Sequence, residues 1–119
     1  MLLPTVERHY FALDLKDDPQ LIGEYENWHD PKRIWPEVIA KLNAAGVREL
    51  EIFRCGNRLV MMIDAADPGV LSGSGSSNWE TLMWNFQQPL PFAPPGQKWV
   101  PMRCIFSLQH ANREQRNAT

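Results

Sequence analysis

The chain has 119 residues, a hydrophobic fraction of 44% and a formal net charge of -2. That length suits one domain with a single apolar core, without further covalent or metal support. Charges of both signs are interspersed without a basic patch, which argues against nucleic acid or an anionic membrane as the main partner.

The first elements in chain order are a strand and an interrupted helix. Residues 5–15, TVERHYFALDL, alternate between apolar and polar positions and predict the strand. Asp18 is suited to cap a helix, and Pro19 is suited to its first position. We expect the helix to cover residues 21–30 and to break near Pro31.

The middle of the chain predicts a restarted helix followed by a hairpin. Pro36 restarts the helix and Gly46 ends it. Residues 47–54 alternate between apolar and polar positions and predict a strand, and residues 59–65 are nearly all apolar and predict the returning strand. CGNR at 55–58 predicts the tight turn between them.

The remaining sequence predicts a loop, a helix, a strand and a tail. Residues 66–78 contain SGSGSS and indicate a flexible loop that is able to move over a pocket. Residues 79–90 predict the second helix, and residues 100–108 predict a closing strand. We expect one domain over residues 1–110, with a polar and frayed tail over residues 111–119.

The predicted order β-α-β-β-α-β indicates the ferredoxin-like plan, an α+β fold. In this plan both helices cover one face of an antiparallel sheet, and the other face is bare. Two copies are then able to pack sheet to sheet as a homodimer, a dimeric α+β barrel. We expect the open face of each subunit to hold a pocket.

Cysteine usage and hydropathy bear on the compartment. Cys55 and Cys104 are far apart in sequence and form no CxxC pair. The first residues lack the pattern of a secretory signal, and no apolar run reaches the ~20 residues of a membrane span. We therefore expect a cytoplasmic protein with reduced, packing thiols and no contact with a membrane.

Tyr25 and His29 are the first candidate functional residues. They are four residues apart, so they share one face of the predicted helix. His29 precedes Asp30 and Pro31, where the helix must loosen, so it belongs at a surface or in a cleft. From spacing alone, either a solvent-exposed helix-end histidine or a catalytic or binding histidine fits.

The tryptophans allow two interpretations. Trp79 and Trp84 are five residues apart, so on a helix they point roughly 140° apart, and at least one faces away from the core. Trp35 lies at the edge of a predicted element. Packing in a core or a dimer is one interpretation, and an aromatic platform for a sugar is the other.

Metal and cofactor sites have no sequence support. The three histidines lack ligand spacing, and the glycines do not follow a strand and open a helix as phosphate-binding loops do. GSGSS also lacks the strained turn of a serine nucleophile. The sequence therefore predicts neither a metal nor a cofactor.

Residues 25–37, YENWHDPKRIWPE, resemble the L-rhamnose mutarotase family. The family pattern is Tyr-x-x-x-His-Asn/Asp-x-Ile-Trp-Pro-Glu. Residues 42–65, NWETLMW at 78–84 and PMRCIFSL at 101–108 are similar to the family's hairpin, last helix and closing strand. The resemblance covers residues 5–108.

The resemblance implies a function. Members of this family are dimers of ferredoxin-like subunits that interconvert the anomers of 6-deoxy sugars such as L-rhamnose or L-fucose without a cofactor. It implies that His29 is the acid/base residue, that Tyr25 lies beside it and that Trp79 lies against the sugar. Further substrate contacts are predicted at Asp30, Trp35 and Trp84.

Three departures from the family pattern affect the substrate. Lys32-Arg33 resembles a two-residue insertion, Arg103-Cys104 replaces a common acidic residue, and SGSGSS differs. These departures favour L-fucose or a related 6-deoxy sugar over L-rhamnose. Two other functions fit the same scaffold: a cofactor-free monooxygenase-like enzyme for aromatic substrates, and a non-catalytic sugar-binding dimer.

Overall fold

The structure is a computed structural model that describes residues 7–67 and 78–117. It contains five strands and four helices within these residues. In chain order they are β1 (Arg8–Leu15), α1 (Pro19–Trp28), α2 (Pro36–Ala44), β2 (Glu49–Cys55), β3 (Arg58–Asp64), α3 (Asn78–Trp84), β4 (Gln87–Gln88), β5 (Val100–Pro101) and α4 (Leu108–Asn117).

The strands form one antiparallel sheet in the order β2-β3-β1-β4. β5 pairs with β1 on the edge that β4 also occupies, so two short strands share the position of one closing strand. With α1 and α2 taken as one broken helix, this is the ferredoxin-like order. The predicted fold class is confirmed.

The two faces of the sheet differ in what covers them. On one face Leu13 pairs with Leu59, and both are fully buried beneath the helices. On the other face Tyr10 and Phe53 remain 44% and 55% exposed. The core therefore lies between the sheet and the helices, where side chains from alternate strand positions meet.

α1 begins as its sequence predicts. The Asp18 carboxylate accepts hydrogen bonds from the backbone N–H groups of Gln20 and Leu21 at 2.9 and 3.2 Å, which satisfies two otherwise unpaired donors. The helix starts at Pro19, the first position that the sequence predicts, and ends at Trp28, two residues before its predicted end.

The hairpin is also confirmed. Cys55 pairs with Arg58 across the turn, and Gly56 has a φ of 60°, a conformation that glycine adopts without steric cost. Asn57 joins the turn to β1, because its side-chain amide donates to the Leu15 carbonyl at 3.1 Å.

The helix predicted over residues 79–90 is shorter in the structure. α3 ends at Trp84, and two tight backbone hydrogen bonds follow, from Asn85 to Leu82 and from Phe86 to Met83. Pro89 disfavours helical backbone at the residue before it. The chain therefore turns, and β4 pairs with β1 instead of continuing the helix.

The closing strand predicted over residues 100–108 is wrong beyond its first residues. Pro101 lies opposite Phe11, and the Met102 N–H still donates to the Tyr10 carbonyl at 2.8 Å. β5 therefore covers only Val100–Pro101, and residues 103–107 form no strand before α4 begins at Leu108.

The predicted frayed tail is instead α4. The Ser107 hydroxyl accepts a hydrogen bond from the His110 N–H at 3.3 Å, which caps the helix. We call residues 102–117 the C-terminal arm. Its apolar side chains are exposed, Ile105 to 91% and Phe106 to 70%.

Three further expectations have mixed outcomes. Both cysteines are free, but they are exposed and do not pack in the core. The predicted loop with SGSGSS falls largely on residues 68–77, outside the described residues. Within the described part of the chain, every helix is too short or too polar to cross a membrane.

Candidate active site

A cavity of about 1260 Å³ lies between the helix-covered face of the sheet, the helices α1 to α3 and residues 96–104. The expectation of a pocket on the open face is therefore wrong, because Phe11, Ile52 and Met61 line the cavity from the helix-covered face. Small-molecule sites commonly have volumes of about 300–1,000 Å³, so a monosaccharide would occupy only part of this space. The described walls are mainly apolar and carry a few polar groups, which is typical of a binding site for a small polar ligand.

His29 lies in the cavity wall as the C-cap of α1. Its Nδ1 atom is 2.8 Å from the backbone oxygen of Tyr25. A carbonyl oxygen only accepts hydrogen bonds, so Nδ1 must carry the proton, and Nε2 keeps its lone pair. Burial lowers the pKa of His29, although the hydrogen bond to Tyr25 opposes this shift. The neutral ring is therefore a base at neutral pH.

Tyr25 lies beside His29, with their ring centroids 4.4 Å apart. The side chain is buried but lines the cavity. Burial raises the pKa of Tyr25 to about 12, a side-chain hydrogen bond from Gln87 opposes the rise, and the charge of Glu80 adds to it. The phenol therefore keeps its proton at neutral pH, while the neighbouring imidazole is free to accept one.

Trp79 completes this group of rings. Its centroid is 5.5 Å from that of His29 and 5.3 Å from that of Trp35, both in edge-on geometry. Trp79 lines the cavity, whereas Trp35 packs behind it. We call Tyr25, His29, Trp35, Trp79 and Phe86 the aromatic cluster.

Trp84 lines another part of the cavity and is 39% exposed. The Lys98 ammonium lies 4.6 Å from its ring centroid and 2.6 Å from the Glu80 carboxylate. These contacts tie residues 96–99 to α3, so the cavity wall is held by a charge pair and a cation–π contact.

Asp30 is not brought into the cavity. Its side chain is exposed and accepts a hydrogen bond from the Lys32 N–H at 2.8 Å. It stabilises the turn that separates α1 from α2. Of the six residues predicted for the site, Tyr25, His29, Trp79 and Trp84 line the cavity, Trp35 supports it and Asp30 lies outside.

Gln87 is a cavity residue that the sequence analysis missed. It is 4% exposed, it is hydrogen-bonded to Tyr25 through its side chain, and its Oε1 atom has no partner among the described residues. The predicted helix over residues 79–90 concealed it. Pro89 was the available signal, because a proline makes extended backbone favourable just before it.

Comparison with known proteins identifies the family. A family model described as L-rhamnose mutarotase matches residues 8–108. An L-fucose mutarotase of Xanthomonas campestris pv. campestris is 44% identical over 121 aligned residues, which cover 90% of this chain and 92% of that protein. The chain belongs to the L-rhamnose mutarotase family.

Two other relatives extend the comparison. A UPF0734 protein of Dictyostelium discoideum is 32% identical over 117 residues, covering 87% of this chain and 91% of that protein. The crystal structure of an L-rhamnose mutarotase from Formosa agariphila matches with a TM-score of 0.59 and 22% identity, over 86% of this chain and 98% of that one. That structure supports the fold of the family.

Family membership confirms the resemblance of residues 25–37. Mutarotases are isomerases, so the predicted enzyme class is confirmed as well. Within residues 7–67 and 78–117, no group of three or more His, Cys, Asp or Glu side chains is placed to hold a metal ion.

The structure separates two departures from the family pattern. Lys32 and Arg33 lie in the turn after α1, and the Arg33 guanidinium stacks 5.2 Å from the Trp28 ring centroid, outside the cavity. Arg103 and Cys104 line the cavity. Only the second departure therefore lies where it can contact a ligand.

Proposed function

We propose that this chain interconverts the α and β anomers of a 6-deoxy sugar, with L-fucose preferred over L-rhamnose. The 44% identity to an L-fucose mutarotase supports the preference. The observation that carries the proposal is the pair of a protonated Tyr25 and a neutral His29, 4.4 Å apart in the cavity wall.

Mutarotation needs a base at the anomeric hydroxyl and an acid at the ring oxygen. His29 takes the hydroxyl proton on Nε2, because Nδ1 is held by the Tyr25 carbonyl. As the bond between C1 and the ring oxygen breaks, Tyr25 gives its proton to that oxygen. A positioned acid or base of this kind contributes about 10²–10⁴-fold to the rate.

The open sugar then turns about its C1–C2 bond and closes on the other face of C1. The ring oxygen returns its proton to the Tyr25 phenolate, and the His29 imidazolium returns its proton to the oxygen on C1. Both residues finish in their starting states, so the cycle needs no further reagent.

Trp79 supplies the platform in this proposal. Its ring lies next to His29 and lines the cavity. The C–H face of a pyranose packs well against an aromatic ring, and this contact would hold the anomeric carbon near Nε2.

The direct test is proton NMR exchange between the anomeric signals of L-fucose, repeated with L-rhamnose. The wild-type chain accelerates exchange, most for L-fucose, and His29→Ala removes about 10²–10⁴-fold of the acceleration. His110→Ala is the matched control, because His110 lies exposed on α4 beside Glu114. It retains the wild-type rate.

Absence of acceleration for both sugars would overturn the proposal. Sugar binding without acceleration would favour the non-catalytic sugar-binding protein. Oxygen uptake with quinol-type substrates, without anomer exchange, would favour the monooxygenase-like enzyme.

We also propose that the chain works as a homodimer. Its support is apolar surface in two places: Tyr10 and Phe53 on the bare face of the sheet, and Ile105 and Phe106 on the C-terminal arm. Contiguous exposed apolar surface marks an interaction site. A second copy would cover the sheet face and give the arm a strand to pair with.

Sedimentation equilibrium tests the dimer. The double substitution Ile105→Asp with Phe106→Asp shifts the chain to a monomer, whereas Gln109→Asp, at an exposed polar position of α4, leaves it a dimer. A wild-type chain that is monomeric at every accessible concentration would contradict the proposal.

We place this activity in the cytoplasm. Cys55 and Cys104 are free and exposed, and free thiols persist in a reducing compartment. Fractionation of the source cells with an antibody to the chain tests this. Recovery in a secreted fraction would contradict it.

A further inference from the structure

Gln87 has two polar ends with different surroundings. Its side chain hydrogen-bonds the Tyr25 hydroxyl in the cavity wall, and its Oε1 atom is buried without a partner among the described residues. The amide donates only through its nitrogen, so the Tyr25 oxygen is the acceptor. A buried acceptor left unpaired is costly, and a ligand that brings a donor would satisfy it.

The hydrogen bond also sets the direction of the Tyr25 proton. Since Gln87 donates to the phenol oxygen, the phenol O–H is directed to another acceptor. In the proposed reaction that acceptor is the ring oxygen of the sugar. The same bond stabilises the negative charge that Tyr25 acquires when its proton leaves.

The three side chains follow one another along the cavity wall. His29 packs against the ring and the backbone oxygen of Tyr25, whereas Gln87 contacts the hydroxyl end. A sugar with C1 at His29 and its ring oxygen at the Tyr25 hydroxyl therefore extends its C5 side to Gln87. In a 6-deoxy sugar C5 carries only a methyl group, so the first hydroxyl on that side is on C4.

We propose that Gln87 determines sugar specificity by accepting a hydrogen bond from the C4 hydroxyl while it holds the Tyr25 hydroxyl in place. This inference rests on the proposed mutarotase function. In L-fucose the C4 hydroxyl is axial and gauche to the ring oxygen. In L-rhamnose it is equatorial and anti to the ring oxygen. One amide that contacts both Tyr25 and this hydroxyl therefore selects the axial configuration.

The test combines variants with matched sugars. The sugars are L-fucose, its 4-deoxy and 2-deoxy analogues, and 6-deoxy-L-glucose, which differs from L-fucose only at C4. The variants are Gln87→Met, which removes both polar ends, and Gln88→Met as the control, because Gln88 is the exposed neighbour on the other face of β4. Anomeric exchange is measured by NMR over a range of sugar concentrations.

For the wild type, kcat/KM is about 10–100-fold lower with the 4-deoxy analogue and with 6-deoxy-L-glucose than with L-fucose. Gln87→Met lowers kcat/KM for L-fucose and makes L-fucose and its 4-deoxy analogue nearly equal. Gln88→Met keeps the wild-type pattern. If Gln87 had a purely structural role, Gln87→Met would lower kcat/KM for all four sugars by the same factor.

Gln87→Glu separates the two ends of the side chain. The carboxylate keeps an acceptor for the C4 hydroxyl but has no N–H for the Tyr25 oxygen. We expect this variant to keep the preference for L-fucose over the 4-deoxy analogue while kcat falls. It also provides the test if Gln87→Met does not fold.

Three results would overturn the inference. The first is that Gln87→Met still prefers L-fucose over its 4-deoxy analogue as strongly as the wild type does. The second is that Gln87→Met loses the preference over the 2-deoxy analogue instead. The third is that Gln87→Glu loses the preference over the 4-deoxy analogue. Each requires a wild-type chain that accelerates exchange. A wild type without acceleration for any of the sugars would overturn the proposed function itself, so the two failures are distinguishable.

Discussion

The aromatic cluster and the C-terminal arm both carry apolar side chains, but those of the cluster are mostly buried and those of the arm are exposed. Tyr25 and Trp79 are buried and contact His29 within one chain. Ile105 and Phe106 are exposed, and the arm pairs with β1 through the hydrogen bond from the Met102 N–H to the Tyr10 carbonyl. Both members of the proposed acid/base pair therefore lie within one chain, whereas the apolar side chains of the arm are not covered by the described residues.

Truncation of Trp79 gives the largest difference between the two regions. Trp79→Ala removes a buried ring and lowers the free energy of unfolding by about 3–5 kcal/mol. Ile105→Ala changes it by less than about 0.5 kcal/mol in the monomer, because its side chain is already in solvent. Urea unfolding at low protein concentration measures both. Equal losses would show that the comparison is wrong.

Removal of the Tyr25 hydroxyl tests the chemistry without emptying the cluster. Tyr25→Phe keeps the ring against His29, so stability changes by only about 1 kcal/mol. The rate of anomeric exchange falls about 10²–10⁴-fold, because no acid remains at the ring oxygen. An unchanged rate would assign the acid to another group. Phe92→Leu, at a 70% exposed position outside the cavity lining, is the control.

The pH dependence sharpens the same contrast. Burial lowers the pKa of His29 below its ordinary 6.5 and raises that of Tyr25 to about 12. After subtraction of the uncatalysed rate, the loss of exchange towards acid pH should have its midpoint below pH 6.5, and exchange should stay constant on the alkaline side to beyond pH 10.0. It should fall about tenfold per pH unit once His29 is protonated. A midpoint above pH 6.5 would contradict a lowered pKa.

The shift of His29 also affects stability. The unfolded chain binds this proton more readily than the folded one, so stability rises with pH wherever the two differ. The contribution is fully present above pH 6.5 and is lost as the pH falls towards the lowered pKa. Urea unfolding of His29→Gln and the wild type at several pH values isolates this contribution. If the free energy of unfolding changed with pH in the same way in both proteins, the lowered pKa of His29 would be contradicted.

A small loss of stability is expected at Lys98. Lys98→Met removes the ion pair with Glu80 and the cation–π contact with Trp84, and stability falls by about 0.5–1 kcal/mol. The apolar stem of the residue is retained, so the fold of residues 96–99 is kept. Lys32→Met, at an exposed position of the turn after α1, is the control. Thermal unfolding of the wild type and both variants at low and high salt measures the contribution of the Lys98–Glu80 ion pair. Equal stability losses in Lys98→Met and Lys32→Met would contradict this contribution.

Local chemistry made much of the fold predictable. Asp18 and Gly56 act through their immediate neighbours, so their roles could be assigned from sequence. Tyr25 and His29 could be placed together because helical spacing sets their separation. The edge of the sheet could not be predicted. Whether residues after Pro101 pair with β1 depends on contacts between residues far apart in sequence.

The same limit explains the missed and misplaced site residues. Gln87 reaches Tyr25 only because β4 pairs with β1, a contact between residues far apart in sequence. Asp30 is next to His29 in sequence but faces away, since its carboxylate is used by the turn. α4 was missed because its polar surface gives no apolar stripe, although Ser107 offered a cap.

The edge-on contact between Trp79 and His29, with centroids 5.5 Å apart, gives the protein an optical property. An imidazolium quenches the emission of a nearby indole much more strongly than a neutral imidazole does. Fluorescence from Trp79 therefore dims as His29 gains a proton and brightens as it loses one. The chain carries its own unlabelled indicator of the charge on its base.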